Sequence, residues 1–125
     1  MRLTFLGKDS QPNNSPTLYA ADGEGALVVQ GWIVSDPCAL AAIALAEDET
    51  VVEVPAKLLR YLERAGVPGR VTNVVAPIVY VTDDGNYVIK GKRVYDQETL
   101  AQMHIPDNET CVLVARSAVV ALIGG

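Results

Sequence analysis

Short runs of alternating apolar and polar residues follow one another along the chain, separated by turn residues. The runs 17–21 and 26–34 flank Asp22-Gly-Glu-Gly, and the runs 78–82 and 87–94 flank Asp83-Asp-Gly-Asn. Asp-Gly between alternating runs is typical of a β-hairpin, because the tight turn requires positive φ. We therefore predict two β-hairpins, the first preceded by an edge strand over residues 2–6.

A short helix is predicted after each hairpin. Asp36-Pro37 and Asp96 provide the residue types that favour an N-cap and a first helical turn, so we expect helices over 38–44 and 97–103. Leu40 and Leu100 occupy equivalent places in these helices. The three-residue spacing from each leucine to the next large apolar residue predicts that both leucines face the core.

A strand and a second helix are predicted after each short helix. The strands are 51–54 and 111–114, and the helices are 56–64 and 117–123. The helix 56–64 has an apolar stripe with basic residues outside it. The helix 117–123 is apolar all round, so we predict that it is buried.

These two series of elements are copies of one unit. From residue 26 onward the copies match at a constant offset of about 60 positions. The matches include Val28 with Val88, Gly31 with Gly91, Asp36 with Asp96, Val54 with Val114 and Leu62 with Leu122. The paired glycines lie mid-strand, where glycine usually marks a bulge or a close approach of another backbone.

The repeat predicts an α+β fold with one domain over 1–125. Its internal repeats, 15–64 and 76–123, each contain a β-hairpin, a helix, a strand and a helix. A unit of roughly 60 residues would be only marginally stable alone, because it buries only about 60% of its extended-chain surface. We therefore expect the tandem duplication to pack as a pseudo-twofold single domain with a shared core.

Composition and charge narrow the classes of partner. The chain has 125 residues, half of them apolar, and a net charge of −5, which disfavours a phosphate backbone as partner. No apolar run approaches the ~20 residues of a membrane span, and the first residues do not resemble a signal peptide. We predict a cytoplasmic protein with no membrane partner and with nucleic acid as a disfavoured partner, and we leave its oligomeric state open.

The residues that could carry chemistry have simpler interpretations. His104 is the single histidine and precedes a turn, and Glu47-Asp-Glu lacks the alternating spacing of a calcium loop. Cys38 and Cys111 form no Cys-x-x-Cys motif, and we interpret them as reduced and structural, with Cys111 in a buried strand. We therefore predict no catalytic residue, no metal site and no cofactor, and a protein that is not an enzyme.

Trp32 is the most informative candidate for binding. Strand alternation places it beside Gln30, and the second copy has Lys90 and Lys92 at the equivalent positions. The opposite side of the strand carries Leu27, Val29 and Ile33, which we predict to be buried. Because an unpaired buried ammonium group is costly, the side of Trp32 should be partly accessible. We predict a partner-binding surface of Trp32, Gln30, Lys90 and Lys92; the alternative is that Trp32 covers the core under the loop 7–15.

Several short segments resemble a known family. They are Thr4-Phe-Leu-Gly-Lys-Asp, Ser15-Pro-Thr-Leu-Tyr, Val28-Val-Gln-Gly-Trp, Ser35-Asp-Pro and Thr50-Val-Val-Glu-Val-Pro. Together they resemble a family of small uncharacterised actinobacterial proteins that usually have one copy of the unit and are often encoded near helix-turn-helix regulators. The resemblance implies a regulatory or partner-binding role and brings no catalytic residue. This chain departs from the family in its duplication and in Cys38 and Ile33.

Three classes of function follow from these observations. The favoured class is a non-enzymatic protein-interaction module that modulates a transcription regulator, such as a helix-turn-helix protein. The second is a DNA-binding swapped-hairpin regulator of the looped-hinge type, which would require a basic stripe. That stripe would comprise Lys57, Arg60, Arg64, Lys90, Lys92 and Arg93. The third is a small-ligand binder or an enzyme, which would require a pocket with convergent polar groups.

Overall fold

The computed structural model describes residues 1–9, 16–23 and 25–123, and it is a mixed α+β fold. Within these residues, seven strands form one sheet. The strands are β1 (Leu3–Lys8), β2 (Thr17–Ala21), β3 (Ala26–Ile33), β4 (Glu49–Val54), β5 (Ile78–Val81), β6 (Tyr87–Arg93) and β7 (Glu109–Ala115). The helices are α1 (Pro37–Ala42), a 3₁₀ helix (Ala56–Ala65), α2 (Gln97–Leu100) and α3 (Arg116–Val120). Ser15 and most of the predicted loop 7–15 lie outside the described residues.

Both predicted hairpins are present. β2 pairs with β3, and β5 pairs with β6, in each case antiparallel. The turns contain Gly23 with φ 77° and Gly85 with φ 82°, which is the positive φ expected of a tight turn. The predicted edge strand is also present, as β1 pairs with β2 alone among the described strands.

The central strands close on themselves. β3 pairs with both β4 and β7, and β6 pairs with the same two strands, all antiparallel. The pairings therefore form a ring of β3, β4, β6 and β7, with β2 and β5 attached outside it. Each early strand of the ring is thus hydrogen-bonded to a late one, so the two parts of the chain share one sheet.

The sheet is buried on both faces. One cluster of buried side chains includes Leu27, Val29 and Ile89 together with the 3₁₀ helix residues Leu58 and Leu62. A second, smaller cluster contains Val34, Ala39, Val51 and Val88. Since Val88 and Ile89 are adjacent on β6, the two clusters lie on opposite faces of the sheet.

Gly31 and Gly91 lie where another backbone passes closely. A Cβ atom at Gly31 would lie 2.5 Å from the Glu53 carbonyl oxygen, and one at Gly91 would lie 2.5 Å from the Leu113 carbonyl oxygen. No side chain fits at such a distance without a shift of the neighbouring strand. The predicted close approach is therefore confirmed at both glycines.

The prediction for Leu40 is wrong. Its side chain is 47% exposed, and the neighbouring Ala39 is fully buried instead. In α2, Thr99 is fully buried, whereas Leu100 is only partly buried. Each helix is so short that a single residue faces the sheet, and a small residue there allows the helix to lie close.

The second helices also differ from expectation. Residues 56–65 form a 3₁₀ helix, which has about three residues per turn. Of the segment predicted to be buried all round, Val119 and Leu122 are buried, but Val120 is 46% exposed. α3 lies at the surface of the sheet, so one of its faces contacts water.

The beginning of the chain is bound to α2. The Met1 ammonium nitrogen lies 2.8 Å from Asp96 Oδ2, and Thr99 Oγ1 donates to the same carboxylate at 2.6 Å. These hydrogen bonds, with the charge of the ammonium group, lower the pKa of Asp96 to about 2. Asp96 also caps α2, as Asp36 caps α1, by accepting a hydrogen bond from the amide two residues later.

Candidate functional site

The residues that we predicted to form a binding surface around Trp32 differ in their exposure to solvent. Trp32 is partly exposed and Lys92 is exposed, but Gln30 is only 1% exposed. Gln30 Nε2 donates to Glu109 Oε1 and to the His104 carbonyl oxygen, each at 2.8 Å. Gln30 is therefore an interior residue and cannot contact a partner, which corrects the prediction for this residue. The roles of Trp32, Lys90 and Lys92 in binding stay predictions.

Ile33 is a second residue of β3, after Gln30, at which burial is the reverse of the predicted alternation. Leu27 and Val29 are buried, as predicted, but Ile33 is 52% exposed. The strand leaves the core at its end, because Ile33 is the last residue of β3. Sequence alternation cannot show where a strand leaves the layer that covers it.

Lys90 and Lys92 line one cavity of about 350 Å³, together with Glu49. Lys90 Nζ lies 3.9 Å from Glu49 Oε1. This carboxylate compensates part of the positive charge. The cavity thus contains a charge pair within a mostly apolar wall.

A stronger concentration of charge surrounds the 3₁₀ helix. Its buried side carries Leu58, Leu59 and Leu62, which anchor the helix on the sheet. The exposed side carries Lys57, Arg60, Glu63 and Arg64. With about three residues per turn, Lys57, Arg60 and Glu63 stack along one side of this helix.

Tyr61 organises the arginines of this helix. The Cζ atoms of Arg60 and Arg64 lie 4.9 and 5.0 Å from the centroid of its ring. Arg60 Nη2 also donates to the Tyr61 hydroxyl at 2.8 Å. A cation over a tyrosine ring gains about 0.5–1 kcal/mol at an exposed site, so the ring holds both guanidinium groups beside it.

β1 supports the same cluster from the other side. The Gly7 backbone lies against the Tyr61 ring so closely that a Cβ atom would overlap the ring carbons. Arg64 Nη1 donates to the Leu6 carbonyl oxygen at 2.7 Å, and Lys57 Nζ lies 3.3 Å from Asp9 Oδ1. The segment Leu6-Gly-Lys-Asp thus provides three separate contacts to the 3₁₀ helix.

A cavity of about 570 Å³, which we name the Arg–Tyr cavity, is lined by the 3₁₀ helix, residues 69–71 and Tyr87. Its charged and aromatic lining residues are Lys57, Arg60, Tyr61, Glu63, Arg64, Arg70 and Tyr87. Among the described residues, no carboxylate oxygen lies within 4.0 Å of the guanidinium nitrogens of Arg60, Arg64 or Arg70. An acidic chain therefore presents a concave basic surface.

The basic stripe considered for DNA binding is divided between the two faces of the sheet. Lys57, Arg60 and Arg64 line the Arg–Tyr cavity with Tyr87. Lys90 and Lys92 share a strand face with Val88, which belongs to the opposite core cluster. The structure brings the first three together and separates the two lysines from them.

Sequence reasoning missed Arg70, Tyr61 and Gly7 as parts of this site. Arg70 follows a glycine and proline connector and has no pattern that relates it to the helix. A signal for Tyr61 was available, since an Arg-Tyr-Leu-Glu-Arg segment places a tyrosine between two arginines. Only the tertiary contact with β1 shows that the ring is fixed.

Other candidate groups are not part of the cavity. His104 is exposed in the connection between α2 and β7. Cys111 is buried in β7, as predicted, where burial raises the pKa of its thiol to about 11. In the described part of the chain, no group of three or more His, Cys, Asp or Glu residues is arranged to hold a metal ion. No helix in the described residues is long and apolar enough to cross a bilayer.

No protein-family model, no curated protein and no solved structure matches this chain. The fold and the site therefore describe a mixed α+β protein, in which a ring of antiparallel strands carries a helix that lines a basic cavity.

Proposed function

We propose that the protein is a non-enzymatic protein-interaction module that holds an acidic segment of its partner in the Arg–Tyr cavity. The observation that carries this proposal is the convergence of Arg60, Arg64 and Arg70, with no carboxylate within 4.0 Å of them among the described residues. A local cluster of positive charge attracts anionic groups even though the net charge of the chain is −5. A transcription regulator with an acidic surface is the kind of partner that we propose.

The fixed geometry of the arginines supports binding. Arg60 is held by the Tyr61 ring and hydroxyl, and Arg64 by the Leu6 carbonyl oxygen. A side chain that is already ordered loses less conformational entropy when a ligand binds. The described lining residues include no histidine, cysteine, serine or threonine. They provide cations, tyrosines, apolar contacts and the carboxylate of Glu63, without a serine, threonine or cysteine nucleophile, which favours binding over catalysis as their role.

DNA binding is the second candidate, because a guanidinium cluster also suits phosphate groups of a duplex. The division of basic residues between two sheet faces reduces the surface that one duplex can contact. An acidic peptide, in contrast, has to contact only the residues that line the cavity. For this reason we favour the protein partner.

The test compares two labelled probes by fluorescence anisotropy on the full chain. One is a glutamate-rich peptide of about ten residues, and the other is a duplex of about 20 base pairs; each is measured from low to high salt. We expect the peptide to bind to the wild-type chain at low salt. Arg70→Gln should weaken this binding about tenfold, because it removes one charge-assisted contact.

Arg93→Gln is the matched control. Arg93 is exposed at the end of β6 and does not line the cavity, so this variant makes the same charge change elsewhere. Equal losses from Arg70→Gln and Arg93→Gln would mean that only net charge matters, and the proposed site would be wrong. Binding of the duplex without binding of the peptide would favour the DNA-binding alternative.

For the architecture we also propose the tandem duplication with pseudo-twofold packing. The support comes from strand registers that correspond under the sequence offset of about 60 positions. Val29 pairs with Val112, and Ile89 pairs with Val52. Exchange of each residue for its equivalent in the other copy converts the first pair into the second.

Three further correspondences support the same proposal. The Ile33 amide donates to the Asn108 carbonyl oxygen at 2.9 Å, and the equivalent Arg93 amide donates to the Asp48 carbonyl oxygen at 2.8 Å. Asp36 and Asp96 are equivalent N-caps. The close backbone approaches at Gly31 and Gly91 are also equivalent. In this proposal each copy exchanges a strand with the other, as two subunits of a swapped dimer would.

A further inference from the structure

The Arg–Tyr cavity has an excess of positive charge that can be counted. Lys57 is paired with Asp9 at 3.3 Å, so its charge is already compensated in part. The cavity is otherwise lined by Arg60, Arg64 and Arg70, with Glu63 as the single carboxylate among its described lining residues. Three guanidinium groups against one carboxylate leave an excess of two positive charges.

The guanidinium groups of the cavity use few of their N–H donors within the described part of the protein. Arg60 uses Nη2 for the Tyr61 hydroxyl, and Arg64 uses Nη1 for the Leu6 carbonyl oxygen. Arg70 is exposed and makes no hydrogen bond or ion pair with another described residue. Since each guanidinium carries five N–H donors, most remain available for bidentate contacts with anionic oxygens.

The rest of the wall is suited to the group that carries the anion. Tyr87 and Val71 line the same cavity, and both pack against the main core cluster. A volume of about 570 Å³ lies within the range typical of sites for small ligands and side chains. The anionic end and the organic end of a ligand therefore have separate surroundings.

We infer that the anion held in this cavity is a phosphomonoester dianion. This inference rests on the proposed function and specifies its ligand. A phosphomonoester carries about −1.5 to −2 charges near pH 7 and three acceptor oxygens, which matches the excess charge and the free donors. A single carboxylate carries one charge, so an acidic segment would have to place two carboxylates in the cavity to compensate the same excess. The dianion has two possible sources, a phosphorylated side chain of the partner or a mononucleotide.

The experiment uses the full chain and isothermal titration calorimetry. The probes are a phosphoserine peptide of about six residues, the same peptide with glutamate in place of phosphoserine, and adenosine monophosphate. We expect the phosphopeptide to bind at least about tenfold more tightly than the glutamate peptide, because more acceptor contacts and more negative charge are available. Tighter binding of the phosphopeptide identifies a phosphorylated side chain of the partner as the source. Tighter binding of the nucleotide supports the phosphomonoester but overturns the proposed protein partner.

The pH dependence provides an independent readout. The second proton of a phosphomonoester leaves near pH 6, so affinity for the phosphopeptide should rise several-fold from about pH 5 to about pH 7.5. Inorganic sulfate is a dianion throughout this range, and its affinity should change much less. The titratable groups that face the anion are Lys57, Arg60, Arg64, Arg70, Glu63, Tyr61, Tyr87 and Asp9, and none of them is a histidine. If affinity rises with pH for the phosphopeptide and not for sulfate, the rise comes from ionisation of the ligand and not of the protein.

Variants and outcomes separate this inference from the proposed function. Arg70→Gln should weaken phosphopeptide binding about tenfold, and Arg93→Gln should leave it nearly unchanged. If the glutamate peptide binds as tightly as the phosphopeptide, the inference is overturned and the proposed function stands. If no probe binds, or if Arg70→Gln has no effect, both are overturned.

Discussion

Gly7 and Tyr61 show how single residues build the cavity. Gly7 lies at the register shift of β1, where its backbone contacts the face of the Tyr61 ring. That ring in turn contacts Arg60 and Arg64. Because residue 7 has no side chain, the Tyr61 ring can lie against β1, and the ring in turn places the charges of Arg60 and Arg64.

We expect Gly7→Ala to destabilise the protein by about 1–3 kcal/mol, because the new Cβ would overlap ring carbons of Tyr61. Chemical unfolding measures this loss. The matched control is the same substitution in a Tyr61→Ala background, where the obstructing ring is gone. A double-mutant cycle should then show coupling between the two positions. An equal cost in both backgrounds would contradict the contact.

The boundaries and the orientation of the short helix α1 have different causes. α1 has six residues, an Asp36 cap and a proline at its start, so its boundaries follow from local chemistry. Its orientation does not, because a helix of under two turns has no repeated apolar stripe. Ala39 rather than Leu40 faces the sheet, and this choice depends on the space beside Val34, Val51 and Val88.

Two substitutions on α1 test this orientation. Leu40→Ala should cost less than about 1 kcal/mol, because the side chain is already 47% exposed. Ala39→Leu should cost about 1–3 kcal/mol or more, because Ala39 is fully buried and the added atoms have no room. Both are measured by denaturant unfolding. The assignment fails if Leu40→Ala proves the more damaging of the two.

The ring of strands determines the behaviour of the whole molecule. β3 pairs with β7 over seven residue pairs, and β4 pairs with β6 over six. Each of these ladders joins the first half of the chain to the second. Most of the sheet therefore depends on contacts between residues that are distant in sequence.

We expect residues 1–66 and 70–125, produced separately, to be unfolded or to associate with themselves. Each half alone loses both ladders and has too little core. Mixed together, they should form a folded one-to-one complex. Circular dichroism and size-exclusion chromatography of each half and of the mixture provide the measurement. Two stable monomeric halves would disprove the shared sheet.

The sequence by itself determined the local elements of this protein. Alternating apolar residues, Asp-Gly turns and Asp caps predicted both hairpins, the strands β4 and β7 and the starts of α1 and α2. These signals act between neighbours in the chain, so they can be read without knowing the fold. The close approaches at Gly31 and Gly91 were predictable in the same way, since a glycine in the middle of a strand usually marks a bulge or a neighbouring backbone.

Only the tertiary structure decided which elements meet. The pairing of β3 with β7, the burial of Gln30 and the exposure of Leu40 all depend on contacts between distant segments. The Arg–Tyr cavity likewise joins the 3₁₀ helix, the segment around Arg70 and Tyr87 of β6. No periodicity relates these three segments, because side chains from separate elements come together only when the sheet that carries them has closed.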